Sequence, residues 1–151
     1  MKNRFIFRKA QFRDVDAIVD IAVESVGRDP LPVTIDREAI RAMVTQCLNP
    51  AHFAWVAEDE ASNVVAAVGA LAQKSFWFRG LQCSVLLYYT RRPGAGAALL
   101  REFSRWVKGR SGIKIAVLEL EPGVDVRLLR FLKRLGFERR SYNVTYVRGS
   151  Q

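Results

Sequence analysis

The sequence predicts an α/β (α+β) chain, one domain built on a mixed central sheet flanked by helices. Two observations set the class: segments of period two and of period 3.6 follow one another along the chain, and 50% of the residues are apolar, enough for a real core. A third fixes the focus. The stretch Arg91-Arg92-Pro93-Gly94-Ala95-Gly96 stands where a strand pattern hands over to a helix pattern. At 151 residues one core suffices, and residues 1–151 read as a single domain.

The elements follow in order. Phe5-Ile6-Phe7-Arg8-Lys9-Ala10 is a first strand. Asp14 stands at an N-cap position, and Val15, Ile18, Val19, Ala22 and Val26 recur at helical spacing behind it, leaving Asp16 and Asp20 on a solvated face. Glu24 stands where it would line an acceptor cleft beyond that helix. The prolines of Pro30-Leu31-Pro32 break the chain into a loop. A second helix starts near Asp36, carries Ile40, Met43, Val44, Cys47 and Leu48 on one stripe, and ends at Asn49-Pro50. Residues 52–58 and 64–71 read as an antiparallel hairpin, its second arm running toward Phe76-Trp77-Phe78 before a turn at Arg79-Gly80. Three adjacent aromatics cannot share one side of a strand, so at least one is expected to pack in the core, with Trp77 or a neighbour as the alternative wall of an acceptor pocket.

Residues 82–89 form the next strand, and Leu99, Leu100, Phe103, Trp106 and Val107 mark a helix after the glycines. Residues 113–120 are a further strand. Asp125 caps a short helix to about Leu135, Gly136 ends it, and residues 137–148 alternate as a last strand. The element order is βααβββαβαβ.

Composition narrows the function classes. The net charge of +9 predicts attraction to polyanions without choosing among a nucleotide cofactor, nucleic acid or an acidic protein. His52 is the single histidine, so multi-histidine metal centres are excluded and no metal site is expected. Cys47 and Cys83 have neither metal nor disulfide spacing and read as buried structural thiols. No apolar run approaches a membrane span, and Met1-Lys2-Asn3-Arg4-Phe5 leads into a strand without a signal-peptide core, so a cytoplasmic protein with no membrane partner is expected.

Gly94 and Gly96 can take backbone conformations closed to other residues, and the first turn of the following helix offers unsatisfied N–H groups and a positive dipole end. Arg91 and Arg92 add charge. The pattern is a phosphate cradle or a plain glycine turn. It lacks the Gly-Lys-Ser/Thr of a P-loop and the third spaced glycine of a dinucleotide fingerprint.

Context favours the cradle. Arg91-x-x-Gly94-x-Gly96 resembles the coenzyme A pyrophosphate loop of the GNAT superfamily of N-acetyltransferases, Gln/Arg-x-x-Gly-x-Gly/Ala. Phe7-Arg8-Lys9-Ala10 with Arg13-Asp14-Val15-Asp16-Ala17-Ile18 looks like the family's first strand and helix. Phe131-Leu132-Lys133-Arg134-Leu135-Gly136-Phe137-Glu138 is similar to its Phe-Tyr-Glu-Arg-Leu-Gly-Phe-Glu ending. The resemblance spans nearly the whole chain.

It implies the GNAT fold: about six to seven strands, four helices, and two parallel strands that splay at the cofactor site. It also implies transfer of an acetyl group from acetyl-CoA to an amine acceptor, small molecule or protein, by direct attack. Leu86, Leu87 and Tyr88 would meet the pantetheine arm, and Arg91, Arg92, Gly94, Ala95, Gly96 and Ala97 the pyrophosphate. Arg130, with Arg127 and Lys133, would meet the 3′-phosphate or else form a solvated face. Glu119 is the best-placed base, with Glu24 behind it. Leu132 stands where the family commonly has the tyrosine that protonates the leaving thiolate, so Tyr88, Tyr89 or Tyr142 would donate instead. Asp125 replaces a frequent asparagine, and Tyr88-Tyr89-Thr90 replaces the usual Val-x-Pro approach. The second reading is a GNAT-fold binding or structural module that contacts a nucleic acid or acidic protein through its basic surface. A homodimer is the default assembly.

Overall fold

The computed structural model of the protein describes residues 4–28, 31–120, 123–140 and 143–148. Five strands and four helices follow in the order β1 (Ile6–Lys9), α1 (Val15–Gly27), α2 (Arg37–Cys47), β2 (Phe53–Glu58), β3 (Val64–Lys74), β4 (Leu81–Thr90), α3 (Ala97–Lys108), β5 (Ile113–Leu118) and α4 (Val126–Arg134). The strands lie in chain order in one sheet, antiparallel from β1 to β4 and parallel between β4 and β5. The mixed sheet arises because α3 carries the chain back across it between β4 and β5.

Two cores sandwich the sheet. On one side Val15, Ile18, Val19, Ile21 and Ala22 of α1, with Val44 of α2, pack on Val56, Ala67, Leu87 and Tyr89. On the other, Leu99, Leu100 and Phe103 of α3 and Leu132 of α4 pack on Phe53, Val68, Ala70 and Cys83. Phe103 is fully buried, its ring edge-on to Phe53 with centroids 5.3 Å apart and within 6.2 Å of Phe137. Burial of such a ring contributes about 1.5–3 kcal/mol.

Helix starts follow their side chains. The Asp36 carboxylate accepts from the N–H groups of Glu38 and Ala39, and Asp125 accepts from Arg127 N–H. Asp14 departs from its expected capping role. Its carboxylate accepts two bonds from the Arg8 guanidinium, at 2.7 and 2.9 Å, and one from Gln11 N–H. Arg8 reaches Glu58 as well, so one fork ties β1, the start of α1 and β2 together.

Three sequence expectations change. Among the described residues the sheet has five strands where six to seven were expected: those of 137–148 form no ladder, Phe137 packing against Phe103 while Val144 and Tyr146 are exposed. Alternation marks a segment able to pair, but a strand also needs a partner. β5 ends at Leu118 rather than at residue 120. Phe76 and Trp77 are 99% and 91% exposed at the tip of the β3–β4 hairpin, so neither packs in the core.

Cys47 and Cys83 are buried and free, as expected. Burial pushes the Cys47 thiol up to about 11 and, with Cys47 beside it, the Cys83 thiol up to about 12. Both thiols should therefore resist a disulfide reagent at pH 8 in native protein and react once it is unfolded in urea, which a thiol titration reads directly.

The Arg8 hydrogen bonds hold the Asp14 carboxyl below its usual range, against the opposing effect of burial. A carboxyl lower in the folded than in the unfolded state adds stability above its unfolded pKa, near 3.9, and loses it as pH falls through the folded value. Asp14→Asn should cost about 3 kcal/mol at pH 7 by leaving Arg8 partly unpaired. Its stability should fall less steeply than wild type below about pH 4, as measured by urea unfolding across pH.

Candidate functional site

The site begins with a slip in register. β3 and β4 pair in step from Lys74↔Leu81 to Ala70↔Val85, then Gly69 pairs with Leu87, so Leu86 is the extra residue of a bulge. Side-chain parity changes there. Cys83 and Val85 face α3, and so does Tyr88, whereas Leu87 and Tyr89 face α1.

At the same point β4 loses its other neighbour. The ladder to β5 runs from Leu81↔Ile113 to Val85↔Leu118 and stops. Beyond it, among the described residues, the edge of β4 that faced β5 has no strand partner from Leu86 to Thr90, and Glu119 follows the last paired residue of β5, exposed. β5 ends at that last rung, so the β4 main chain beyond it offers donors and acceptors along one edge.

That edge leads into the glycine loop. Gly94 has φ +86°, a conformation that disfavours a side chain. The Arg91 N–H is taken by Val65 carbonyl, Arg92 N–H by Thr90 Oγ1 and Ala95 N–H by Arg92 carbonyl. Among the described residues, the N–H groups of Gly94 and Gly96 have no partner, and no side chain caps α3 after Gly96. The first turn of α3 adds its own unsatisfied N–H groups, so donors converge at a positive dipole end. The Tyr88 hydroxyl sits where a Gly96 Cβ would be. Burial raises the Tyr88 pKa, so its phenol stays protonated.

Both loop arginines are engaged by neighbouring side chains. Arg91 pairs through Nε with Glu24 of α1, so the glutamate expected at an acceptor cleft is engaged at the loop. Arg92 lies over the Phe5 ring at 5.2 Å and reaches Asp59 at 3.5 Å. Tyr89 is buried under the Arg28 guanidinium, 5.0 Å from its ring. Arg130 is exposed on α4, where it lines an open groove of about 650 Å³ with Arg127, Lys133 and Arg134. Leu132 is buried in the core beneath α3. His52 accepts Ala72 N–H at 3.0 Å, a structural bond. Tyr142 lies outside the described residues. Among the described residues, no cluster of three His, Cys, Asp or Glu side chains is placed to hold a metal, and no helix is long and apolar enough to cross a membrane.

Sequence reasoning missed Thr90. Its hydroxyl donates to Arg92 carbonyl at 2.7 Å and accepts from Arg92 N–H at 3.2 Å, fixing the entry to the loop. A threonine two residues before a turn was the available sign. The partners Asp59 and Glu24 come from distant elements, and no local pattern announces them.

No protein-family model matches the chain, and no curated protein matches its sequence. Solved structures do match in fold. A possible acetyltransferase from Clostridium difficile 630 aligns over 97% of this chain and 99% of its own, with TM-score 0.69 and 17% identity. Glucosamine-6-phosphate N-acetyltransferase from Arabidopsis thaliana aligns over 96% and 99%, with TM-score 0.67 and 16% identity. A transcriptional regulator from Bacillus halodurans C-125 aligns over 95% and 99%, with TM-score 0.69 and 17% identity. At these identities the likeness is one of fold.

The close approach of Tyr88 to Gly96 can be tested without a ligand. Gly96→Ala should lose about 1–2 kcal/mol of stability through overpacking. Adding Tyr88→Phe should recover part of that loss, giving a non-zero coupling in a double-mutant cycle read by urea unfolding.

Proposed function

We propose that this chain, whose fold is that of the GNAT superfamily of N-acetyltransferases, is an acetyltransferase that uses acetyl-CoA to acetylate an amine. One observation carries the reading: the edge of β4 left free where β5 ends runs into an uncapped α3 N-terminus preceded by glycine N–H groups without a partner among the described residues. A plain glycine turn would not need the free strand edge. An extended thioester with a diphosphate at its far end fits both features.

Residues Leu86, Leu87 and Tyr88 would hold the pantetheine arm through the free edge of β4, in place of the missing rungs to β5. Gly94, Ala95, Gly96 and Ala97 would hold the diphosphate through backbone N–H groups. Arg91 and Arg92 would strengthen the positive field while Glu24 and Asp59 position them. Arg130 would meet the 3′-phosphate from the α4 groove.

When bound, the cofactor supplies an activated acyl carbonyl and a leaving thiolate. Two protons then move. Glu119, beside the end of the β4–β5 ladder, takes one from the attacking amine nitrogen, directly or through a water. Tyr88 Oη stands against Gly96, at the diphosphate end of this path, so it serves the loop rather than donating to the sulfur; the departing sulfur, with an ordinary thiol pKa of about 8.5, is a tolerable leaving group and takes its proton from water. Backbone N–H groups at the bulge stabilise the charge that develops on the carbonyl oxygen. Tyr89, held under Arg28, serves in this reading to fix β4 against α1 rather than to donate. Leu132 cannot supply a proton.

Isothermal calorimetry with acetyl-CoA and CoA tests the cradle. Wild type should bind with micromolar affinity, and a Gly94→Glu, Gly96→Glu variant that still folds should not. A folded wild type that binds neither molecule overturns the proposal and leaves the basic surface as the place to look for a partner. Given a competent acceptor, Glu119→Gln should lower kcat about 10²-fold, the low end of general acid–base contributions.

A further inference from the structure

The β3–β4 hairpin tip has no role in the proposed reaction. Phe76 and Trp77 are almost wholly exposed, at 99% and 91%, and adjacent aromatics left bare at a tight turn are unusual on a monomer surface. The turn is built to present them. The Ser75 hydroxyl accepts from the N–H groups of Trp77 and Phe78, and Ser75 N–H donates to Gly80 carbonyl, closing the loop at the last rung of a long ladder. The tip is thus a convex wedge.

Cations surround it. Lys74 ends β3 and Arg79 lies in the turn, both exposed. The Lys114 stem packs beside Gly80, and its ammonium donates to Ser111 carbonyl. Arg110 stacks on Trp106 and donates to Pro50 carbonyl. The segments at this end, residues 49–53, 72–81 and 108–114, contain no aspartate or glutamate.

We propose that this aromatic tip and its basic rim dock the protein on an anionic lipid bilayer surface, with Phe76 and Trp77 entering the headgroup region and the cations facing lipid phosphates. The charge pattern and convexity select that occupant. Indole and phenyl rings favour the membrane–water interface, and a basic rim is attracted to acidic headgroups. Single-stranded nucleic acid would instead need a groove beside the rings to track its backbone. The two open grooves that stand out lie elsewhere, at the Arg8 cluster and along α4. Surface docking requires no membrane-spanning segment, so it is compatible with the helices described above.

Co-sedimentation of the full chain with vesicles tests the proposal. Wild type should pellet with phosphatidylcholine vesicles containing about one-third phosphatidylserine and stay in solution with phosphatidylcholine alone, and the binding should weaken as salt is raised. Phe76→Ser with Trp77→Ser should bind about tenfold more weakly or worse. Lys74→Glu with Arg79→Glu is an independent variant that should also fail to bind. Unchanged thermal midpoints would show that both variants fold. Tryptophan emission of wild type should shift to shorter wavelength on vesicle binding, and Trp77→Phe should abolish that shift. Absence of binding to the acidic vesicles, equal binding by wild type and the aromatic double variant, or a tip that instead binds single-stranded RNA or forms dimers without vesicle binding would each overturn the proposal. None of these readouts depends on acetyl transfer.

Discussion

The bulge at Leu86 is the constraint on which the rest of the site depends. An extra residue in β4 flips the parity of every side chain after it, so Tyr88 rather than Tyr89 reaches the α3 side of the sheet. It also bends β4 at the point where its ladder to β5 ends. A strand paired on both edges has no free backbone to offer. By releasing one edge over five residues and keeping the other paired to β3, the fold leaves a short run of main-chain donors and acceptors held rigidly in place. The same strand then delivers the chain to the α3 N-terminus.

Charge in the loop is arranged to support backbone recognition. Glu24 and Asp59 each take one loop arginine, from α1 and from the end of β2. These pairs are partly exposed and contribute little stability by themselves. Their effect is positional: they fix where the two guanidiniums stand beside the loop, whose glycine N–H groups keep no partner among the described residues. Thr90 performs the same service on the other side by closing a local loop with Arg92. The Arg8 fork is different in kind, being mostly buried and satisfying two carboxylates at once, and it anchors β1 to the sheet.

Much of this was legible in the sequence, for physical reasons. Helices α1 to α4 announced themselves because an amphipathic stripe must face a core, and Asp36 and Asp125 marked two starts. Gly94 marked the turn because φ +86° admits few other residues. The bulge was invisible, since strict alternation would set Tyr89 on the face of Cys83 and Val85; only the pairing register contradicts it. The described residues of 137–148 show the converse. Their alternation is clear, but pairing is a tertiary event that period two cannot guarantee. Phe76 and Trp77 misled because aromatic content predicts burial on average and says nothing about a hairpin tip.

The net charge of +9 is better understood as two local fields than as one. From Ala61 to Leu118 Glu102 is the single carboxylate, and it pairs with Arg105. That acid-poor stretch contains both the hairpin tip, before β4, and the glycine loop, after it. Nine residue steps along β4 separate them, about 30 Å at roughly 3.3 Å per residue. Charges on a protein surface are screened over about 8 Å at physiological ionic strength, so cations at the tip add almost nothing at the loop. Each end must therefore carry its own attraction for an anion. The loop does so with main-chain donors aimed at one point, suited to a small diphosphate, and the tip with spread side chains around a wedge, suited to an extended surface.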